Sequence, residues 1–260
     1  NEKTYNIDTT KIEERITSKT KALMPVSLFG QPSNMAEIQE IATKHNLKVI
    51  VDGAQSFGST YNGISDSNFG DISTTSFFPA KPLGCFGDGG AVFTNNEKLA
   101  AKMKQLRVHG QNKRYYHKYI GMGGRLDTIQ AAVLNVKLKY FEKDLSLRQK
   151  VAMKYTHMIE NVDLVLPFVE RNIKSSWAQY SIRVKNREEF QSKLKERGIP
   201  TAIHYPIPLH RQECFKYLAY KKGDFPISEL ISNEILSLPM NPYLTDVEVE
   251  YIVSGLSNKC

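Results

Sequence analysis

One lysine, Lys81, stands in the run SFFPAKPLGCFGDGG (residues 76–90), between an apolar, strand-like stretch and a glycine-rich turn. A lysine needed only for solubility belongs on a charged helix face, and this one is flanked by Phe77, Phe78, Pro79 and Pro82. Its amine is a candidate for chemistry at the end of a buried strand. Three further groups close apolar runs: Asp52 and Gln55 after LKVIV, and Ser76 five residues before the lysine. Open α/β sheets bind ligands at the carboxyl ends of their strands. Taken singly, a strand-end Asp is usually a turn cap, and a Ser in a strand carries no special meaning. Together, an amine, a carboxylate and a hydroxyl in an apolar setting meet the needs of pyridoxal 5'-phosphate. The lysine forms a Schiff base with the aldehyde, and the carboxylate keeps the ring nitrogen protonated so that the ring draws electrons. Hydroxyl and backbone N–H groups hold the phosphate. Burial lowers the lysine pKa and makes the amine nucleophilic.

Four segments extend this reading: VDGAQSFG, TSFFPAKPLGCFGDGGAVFTN, RVHGQNKRYYHKYIGMGGRLDTIQAA and AIHYPIP. In this order and spacing they resemble the DegT/DnrJ/EryC1/StrS family of nucleotide-sugar aminotransferases, from the first residue to about Asn258. Among its members the pattern is nearest to the bacterial enzymes that aminate UDP-2-acetamido-2-deoxy-3-oxo-D-glucuronate in surface-polysaccharide (O-antigen) synthesis. The resemblance implies a fold-type I α/β aminotransferase: a mixed, mostly parallel sheet flanked by helices, with a smaller C-terminal α/β domain. It also implies pyridoxal phosphate as cofactor, glutamate as amino donor, and a homodimer with shared active sites. By the same resemblance Lys81 is the Schiff-base lysine and proton shuttle, Asp52 pairs with the ring nitrogen, Gln55 contacts the ring face or its 3'-oxygen, and Ser76 binds the phosphate. Arg125, His204 and Tyr205 match residues that hold the sugar nucleotide, in part from the neighbouring subunit.

Two features depart from the family pattern. Gly123 stands where relatives commonly carry the Asn of GxNxRLD, so a backbone N–H or a water is expected to take over its phosphate contact. Relatives also carry a further N-terminal stretch with a phosphate loop and a ring-stacking group, neither of which has a match here. The expectation is a cofactor pocket that this chain builds only in part. Other readings are a dTDP- or UDP-linked keto-6-deoxysugar aminotransferase and a non-catalytic module with an aminotransferase-like fold. Lys81 argues against the second, and also against the relatives that dehydrate sugars, in which a histidine replaces it. A nicotinamide-binding fold is disfavoured because no GxGxxG follows a first strand, and GDGGA precedes a strand instead.

The elements that must position these residues alternate. Asp8 caps a short helix (KIEERI), KALMPVSLF (21–29) predicts a buried strand, and residues 34–46 predict a helix with Met35, Ile38, Ile41 and Ala42 on one face. Strands follow at 47–55, 73–78 and 90–95, then a helix at 96–110. From Arg125 the pattern predicts one long helix, or two with a bend near Leu145. A strand (177–184), a helix (188–198) and a helical segment (226–236) complete the chain, which gives a large domain over 1–150 and a small one over 151–260. Alternation of this kind predicts a largely parallel sheet covered on both faces.

The 260 residues are 41% hydrophobic and 24% charged, ordinary values for a globular chain. No apolar run approaches the roughly 20 residues that span a bilayer, and the polar opening does not read as a secretory signal. The formal charge of +8 is spread over amphipathic helices without a dense basic block, which favours an anionic small substrate over nucleic acid. Three cysteines (Cys85, Cys214, Cys260) show no metal-ligand spacing, so the expectation is a cytoplasmic protein with neither disulfides nor a metal site. His109 reads as a helix-end dipole partner, His45 as a helix end, Cys85 as a small apolar filler, and Tyr115–Tyr116–His117 as an aromatic loop that lines the substrate groove or packs on a partner subunit.

Overall fold

The computed structural model describes residues 1–159 and 163–256. The chain divides into two compact units, one of Asn6–Glu142 with Asn172–Ser175, the other of Asn1–Tyr5, Lys143–Arg171 and Ser176–Cys260.

The first unit is built on four strands: β1 (Ala22–Leu23), β2 (Lys48–Asp52), β5 (Ile72–Ser76) and β6 (Gly90–Phe93), adjacent in that order. β1, β2 and β5 are parallel, and β6 returns antiparallel to β5. Helix α1 (Met35–Lys44) begins at Asn34, whose side chain accepts from the Glu37 N–H, and it buries Met35, Ile38 and Ala42 completely. These residues share one core with Val49 and Val51 of β2, as the spacing of both segments predicts. Short pairs β3 (Thr60–Tyr61) and β4 (Ile64–Ser65), helix α2 (Glu97–Leu106), the hairpin β7 (Gln111–Lys113) and β8 (Tyr116–His117), α3 (Thr128–Leu138) and β9 (Ile173–Lys174) complete the unit.

Three expectations need correction. The run 21–29 is not one strand. Pro25 has no N–H to give the ladder, so pairing beyond Leu23 is reduced to a bridge between Val26 and Asp52, and Leu28–Gly30 turn away with Phe29 at φ 59°. The segment after Asp8 forms two 3-10 turns, Thr9–Lys11 and Glu13–Arg15, rather than a helix. The helical region breaks between Leu138 and Phe141, and Leu145 lies inside α4 (Phe141–Met158).

In the second unit α4, α5 (Arg187–Glu196), α6 (Pro226–Glu234) and α7 (Asp246–Leu256) accompany an antiparallel pair, β10 (Tyr180–Arg183) and β11 (Ile235–Leu238). Every residue of both strands is buried. Tyr155, Tyr180, Ile182, Leu194, Leu236 and Leu256 form the centre of that core. Ala202 bridges Ser237, which places the segment leading to His204 beside β11.

Candidate active site

Because β2 and β5 are parallel neighbours with Asp52 opposite Thr74, their carboxyl ends fall on one edge of the sheet. Asp52 ends β2, and Ser76 ends β5. The chain then runs through Phe77–Gly89 before β6 opens at Gly90, the partner of Ser76. Lys81 sits in this connection, half-buried, its N–H donating to the Phe78 carbonyl at 2.9 Å. The loop is held tightly. Cys85 N–H donates to Phe77 O at 2.8 Å, the Cys85 Sγ lies 3.0 Å from the same carbonyl, and Lys137 Nζ donates to Gly84 O at 2.6 Å. A side chain at Gly84 would meet Pro79 O at 2.5 Å, so only glycine fits there. Cys85 is fully buried, as a filler would be, and its thiol also braces this loop.

Burial pushes the Lys81 ammonium below the usual lysine value, and the nearby Asp52 carboxylate opposes part of that shift. Asp52 Oδ1 accepts from the Ala54 N–H at 3.1 Å. Ser76 Oγ accepts from the Phe78 N–H at 3.2 Å, so hydroxyl and backbone donor lie side by side at the strand end. The buried Gln55 uses its side-chain carbonyl to accept from the Phe29 N–H at 2.6 Å, which ties the turn after β2 to the left-handed residue at Phe29. An amine biased toward its neutral form, a carboxylate beside it and a hydroxyl with a backbone N–H form a donor set that fits pyridoxal phosphate.

One carboxyl of this region escaped the sequence reading. Asp66 is 2% exposed, and its Oδ2 accepts from the Ser56 hydroxyl beneath the turn that carries Asp52. Burial raises it above the ordinary carboxylate range, with the Ser56 and Ser27 hydroxyls pulling the other way. In the sequence ISDSN reads as an ordinary polar turn, and no spacing marks it.

Arg125 is exposed and precedes α3 rather than opening it; Asp127 takes the position before Thr128. Among the described residues it forms no ion pair with Asp127 or Glu142. It lines a cavity of about 480 Å³ together with Arg107, His109, Gln111, Lys113 and Arg114, and no carboxylate is among the lining residues. A Cβ at Gly123 would lie 3.1 Å from the His109 ring, so a side chain there needs that ring to give by a few tenths of an ångström. His109 is not a helix-end partner, since α2 ends at Leu106 and His109 lies in a turn at φ 60°, its N–H donating to Met122 O at 3.0 Å. Tyr115, Tyr116 and His117 are exposed on the β7–β8 hairpin.

The structure thus brings Lys81, Asp52, Gln55 and Ser76 to one edge of the first unit's sheet. His204 and Tyr205 belong to the second unit. There His204 Nδ1 lies 2.8 Å from Ser237 Oγ, and the Tyr205 ring stands edge-on to the imidazole at 5.5 Å. Among the described residues no cluster of three or more His, Cys, Asp or Glu is disposed to hold a metal ion, and no helix is long and apolar enough to cross a membrane.

The sequence profile of the DegT/DnrJ/EryC1/StrS aminotransferase family matches residues 1–257. The chain belongs to that family. It is an aminotransferase, and the cofactor of the family is pyridoxal phosphate. It is 46% identical over 98% of its length to UDP-2-acetamido-2-deoxy-3-oxo-D-glucuronate aminotransferase of Pseudomonas aeruginosa, of which it covers 70%. It is also 45% identical to dTDP-3-amino-3,6-dideoxy-alpha-D-galactopyranose transaminase of Aneurinibacillus thermoaerophilus, with 98% of this chain and 69% of that protein covered. The crystal structure of NtdA from Bacillus subtilis with bound cofactor PMP superposes with a TM-score of 0.89 at 32% identity, covering 98% of this chain and 60% of that one.

Proposed function

We propose that this enzyme transfers the amino group of glutamate to the keto carbon of UDP-2-acetamido-2-deoxy-3-oxo-D-glucuronate, as a cytoplasmic homodimer in surface-polysaccharide synthesis. Pyridoxal phosphate, when bound, supplies the electron sink and carries the amino group between donor and acceptor. Lys81 Nζ takes and returns the proton at the donor and acceptor carbons, a role supported by its burial and by the pull on its ammonium. Asp52 balances positive charge on the ring nitrogen, Gln55 lies against the ring, and Ser76 Oγ binds phosphate. Arg125, His204 and Tyr205 hold the nucleotide sugar.

The observation that carries the substrate class is the cavity in which Arg125 joins Arg107, Lys113 and Arg114 without an opposing carboxylate. A nucleotide-linked uronate brings a diphosphate and a carboxylate, and such a basin attracts both. A second copy of the chain is supported by α3, where Ile129, Val136 and Leu138 are apolar and 73%, 58% and 52% exposed. The near-equal identity to a dTDP-sugar transaminase supports a second reading, with a neutral deoxysugar as acceptor.

The test is a substrate comparison. The full chain is incubated with pyridoxal phosphate, glutamate and a panel of UDP- and dTDP-keto sugars, and aminated products are read by mass spectrometry. Arg125→Met should lower kcat/KM for the UDP-3-keto uronate by roughly 10- to 150-fold, the loss of one charge-assisted hydrogen bond of about 1.5–3 kcal/mol. A neutral 6-deoxy keto sugar should lose far less. Equal losses for both would mean that Arg125 holds the diphosphate and would remove the support for a uronate.

A further inference from the structure

β10 and β11 place two serines directly opposite each other in the second unit's core. Ser181 pairs with Ser237 in register, the hydroxyl oxygens are 2.9 Å apart, and the residues are 1% and 3% exposed. Ser237 Oγ lies 2.8 Å from His204 Nδ1. The backbone of Ser237 is committed to Ala202 in both directions, at 2.8 and 3.1 Å, so its hydroxyl is the only part free to choose a direction.

The direction of this chain of hydrogen bonds follows from counting hydrogens. Two hydroxyl hydrogens must be placed, and among the described residues Ser181 Oγ has Ser237 Oγ as its sole partner. If Ser181 donates to Ser237 and Ser237 donates to Nδ1, both hydrogens are used and His204 carries its proton on Nε2. If Nδ1 carried a proton and donated to Ser237, Ser237 would donate to Ser181. The buried Ser181 hydrogen would then have no acceptor, at the full desolvation cost of that group. We propose that Ser237, directed by Ser181, is a positioning residue that holds the His204 ring as the neutral Nε2–H tautomer. Its consequence for turnover rests on the reading above that His204 holds the nucleotide sugar: a fixed, uncharged donor suits a sugar hydroxyl or phosphate oxygen.

Nitrogen-15 NMR of the full chain, labelled at histidine, tests the tautomer without cofactor or substrate. The His204 signal is identified by its loss in His204→Gln. Wild type should show a bare Nδ1 and a protonated Nε2 at neutral pH. Ser237→Ala alone strands the Ser181 hydrogen and can destabilise the strand pair. The double variant Ser181→Ala/Ser237→Ala removes both hydroxyls together and is expected to fold. Its His204 should relax to a mixture of tautomers, and its KM for the nucleotide sugar should rise roughly 2- to 12-fold with the glutamate half-reaction unchanged. A wild-type ring protonated on Nδ1, or a tautomer unchanged in the double variant, overturns the proposal. A shifted tautomer with unchanged KM supports the positioning of the ring while overturning its contact with substrate.

Discussion

Gly53, the residue after Asp52, offers a perturbation whose size follows from contacts. Its N–H donates to Thr74 O at 2.9 Å, and its carbonyl accepts from Thr75 Oγ1 at 3.1 Å, so the turn lies flat on β5. A Cβ at this position would sit 2.7 Å from Thr74 O, 0.7 Å short of the 3.4 Å at which ordinary contact begins. It would also meet Ser56 Oγ at 3.2 Å and Asp66 Oδ2 at 3.5 Å. Thr74 O is backbone of a central strand and cannot give way, so Gly53→Ala must lift the turn off β5 and carry Asp52 with it. Overpacking of this kind costs about 1–3 kcal/mol, or roughly 2–12 °C in Tm at about 2–4 °C per kcal/mol. Displacement of a positioned group by several tenths of an ångström should slow the glutamate half-reaction roughly 10- to 100-fold. Thermal unfolding, an absorbance titration with pyridoxal phosphate and single-turnover kinetics measure the three effects. Gly63→Ala is the control. Gly63 has φ 78° and nothing within 4 Å of an added Cβ, so it should lose about 1 kcal/mol to backbone strain and nothing in cofactor handling. A Gly53→Ala protein with wild-type cofactor affinity and half-reaction rate would refute the claim that this turn sets Asp52.

Two further outcomes follow from the ionisable groups. With its ammonium disfavoured by burial, Lys81 should capture pyridoxal phosphate near pH 8 ahead of surface lysines, and borohydride reduction should leave the label on the Lys81 peptide; label spread evenly over other lysines would contradict this. The Asp66 carboxyl, raised by burial, keeps its proton in the native state above the pH at which the unfolded chain releases it, so wild-type stability should fall as pH rises from the ordinary carboxylate value through its raised one. Asp66→Asn should flatten that fall in urea denaturation between pH 4 and 7, and parallel curves for the two proteins would exclude the role of Asp66.

The strand-end positions were legible because each group is announced by its own local run. LKVIV predicts a strand, Asp52 ends it, and Lys81 lies past the next strand between residues unsuited to a solvated lysine. The α1 face was legible for the same reason. What failed depended on partners distant in sequence. KALMPVSLF reads as continuous until the ladder demands an N–H that Pro25 lacks, and the break after Leu138 has no glycine or proline to mark it. Gly123 reads in the sequence only as a missing asparagine, and its close approach to the His109 ring shows only in the folded chain. Asp66 was invisible because the Ser56 hydroxyl reaches it only after the turn closes.

Register joins these observations. With Asp52 opposite Thr74 and Val51 opposite Ser73, the half-exposed Asp52, Thr74 and Ser76 share one face of the sheet while the buried Val49, Val51, Ser73 and Thr75 share the other. A slip of β5 by one residue would exchange the two sets. It would bury Ser76, expose Thr75 and break the Thr75 bond to Gly53 that flattens the Asp52 turn. Two carboxyls then meet opposite fates beside a single glycine. Asp52 stands at the strand end near the Lys81 amine, and Asp66 lies beneath the turn with the Ser56 hydroxyl donating to it. The pairing of two parallel strands therefore sets which carboxyl stands at the strand end beside the Lys81 loop and which is confined beneath the turn.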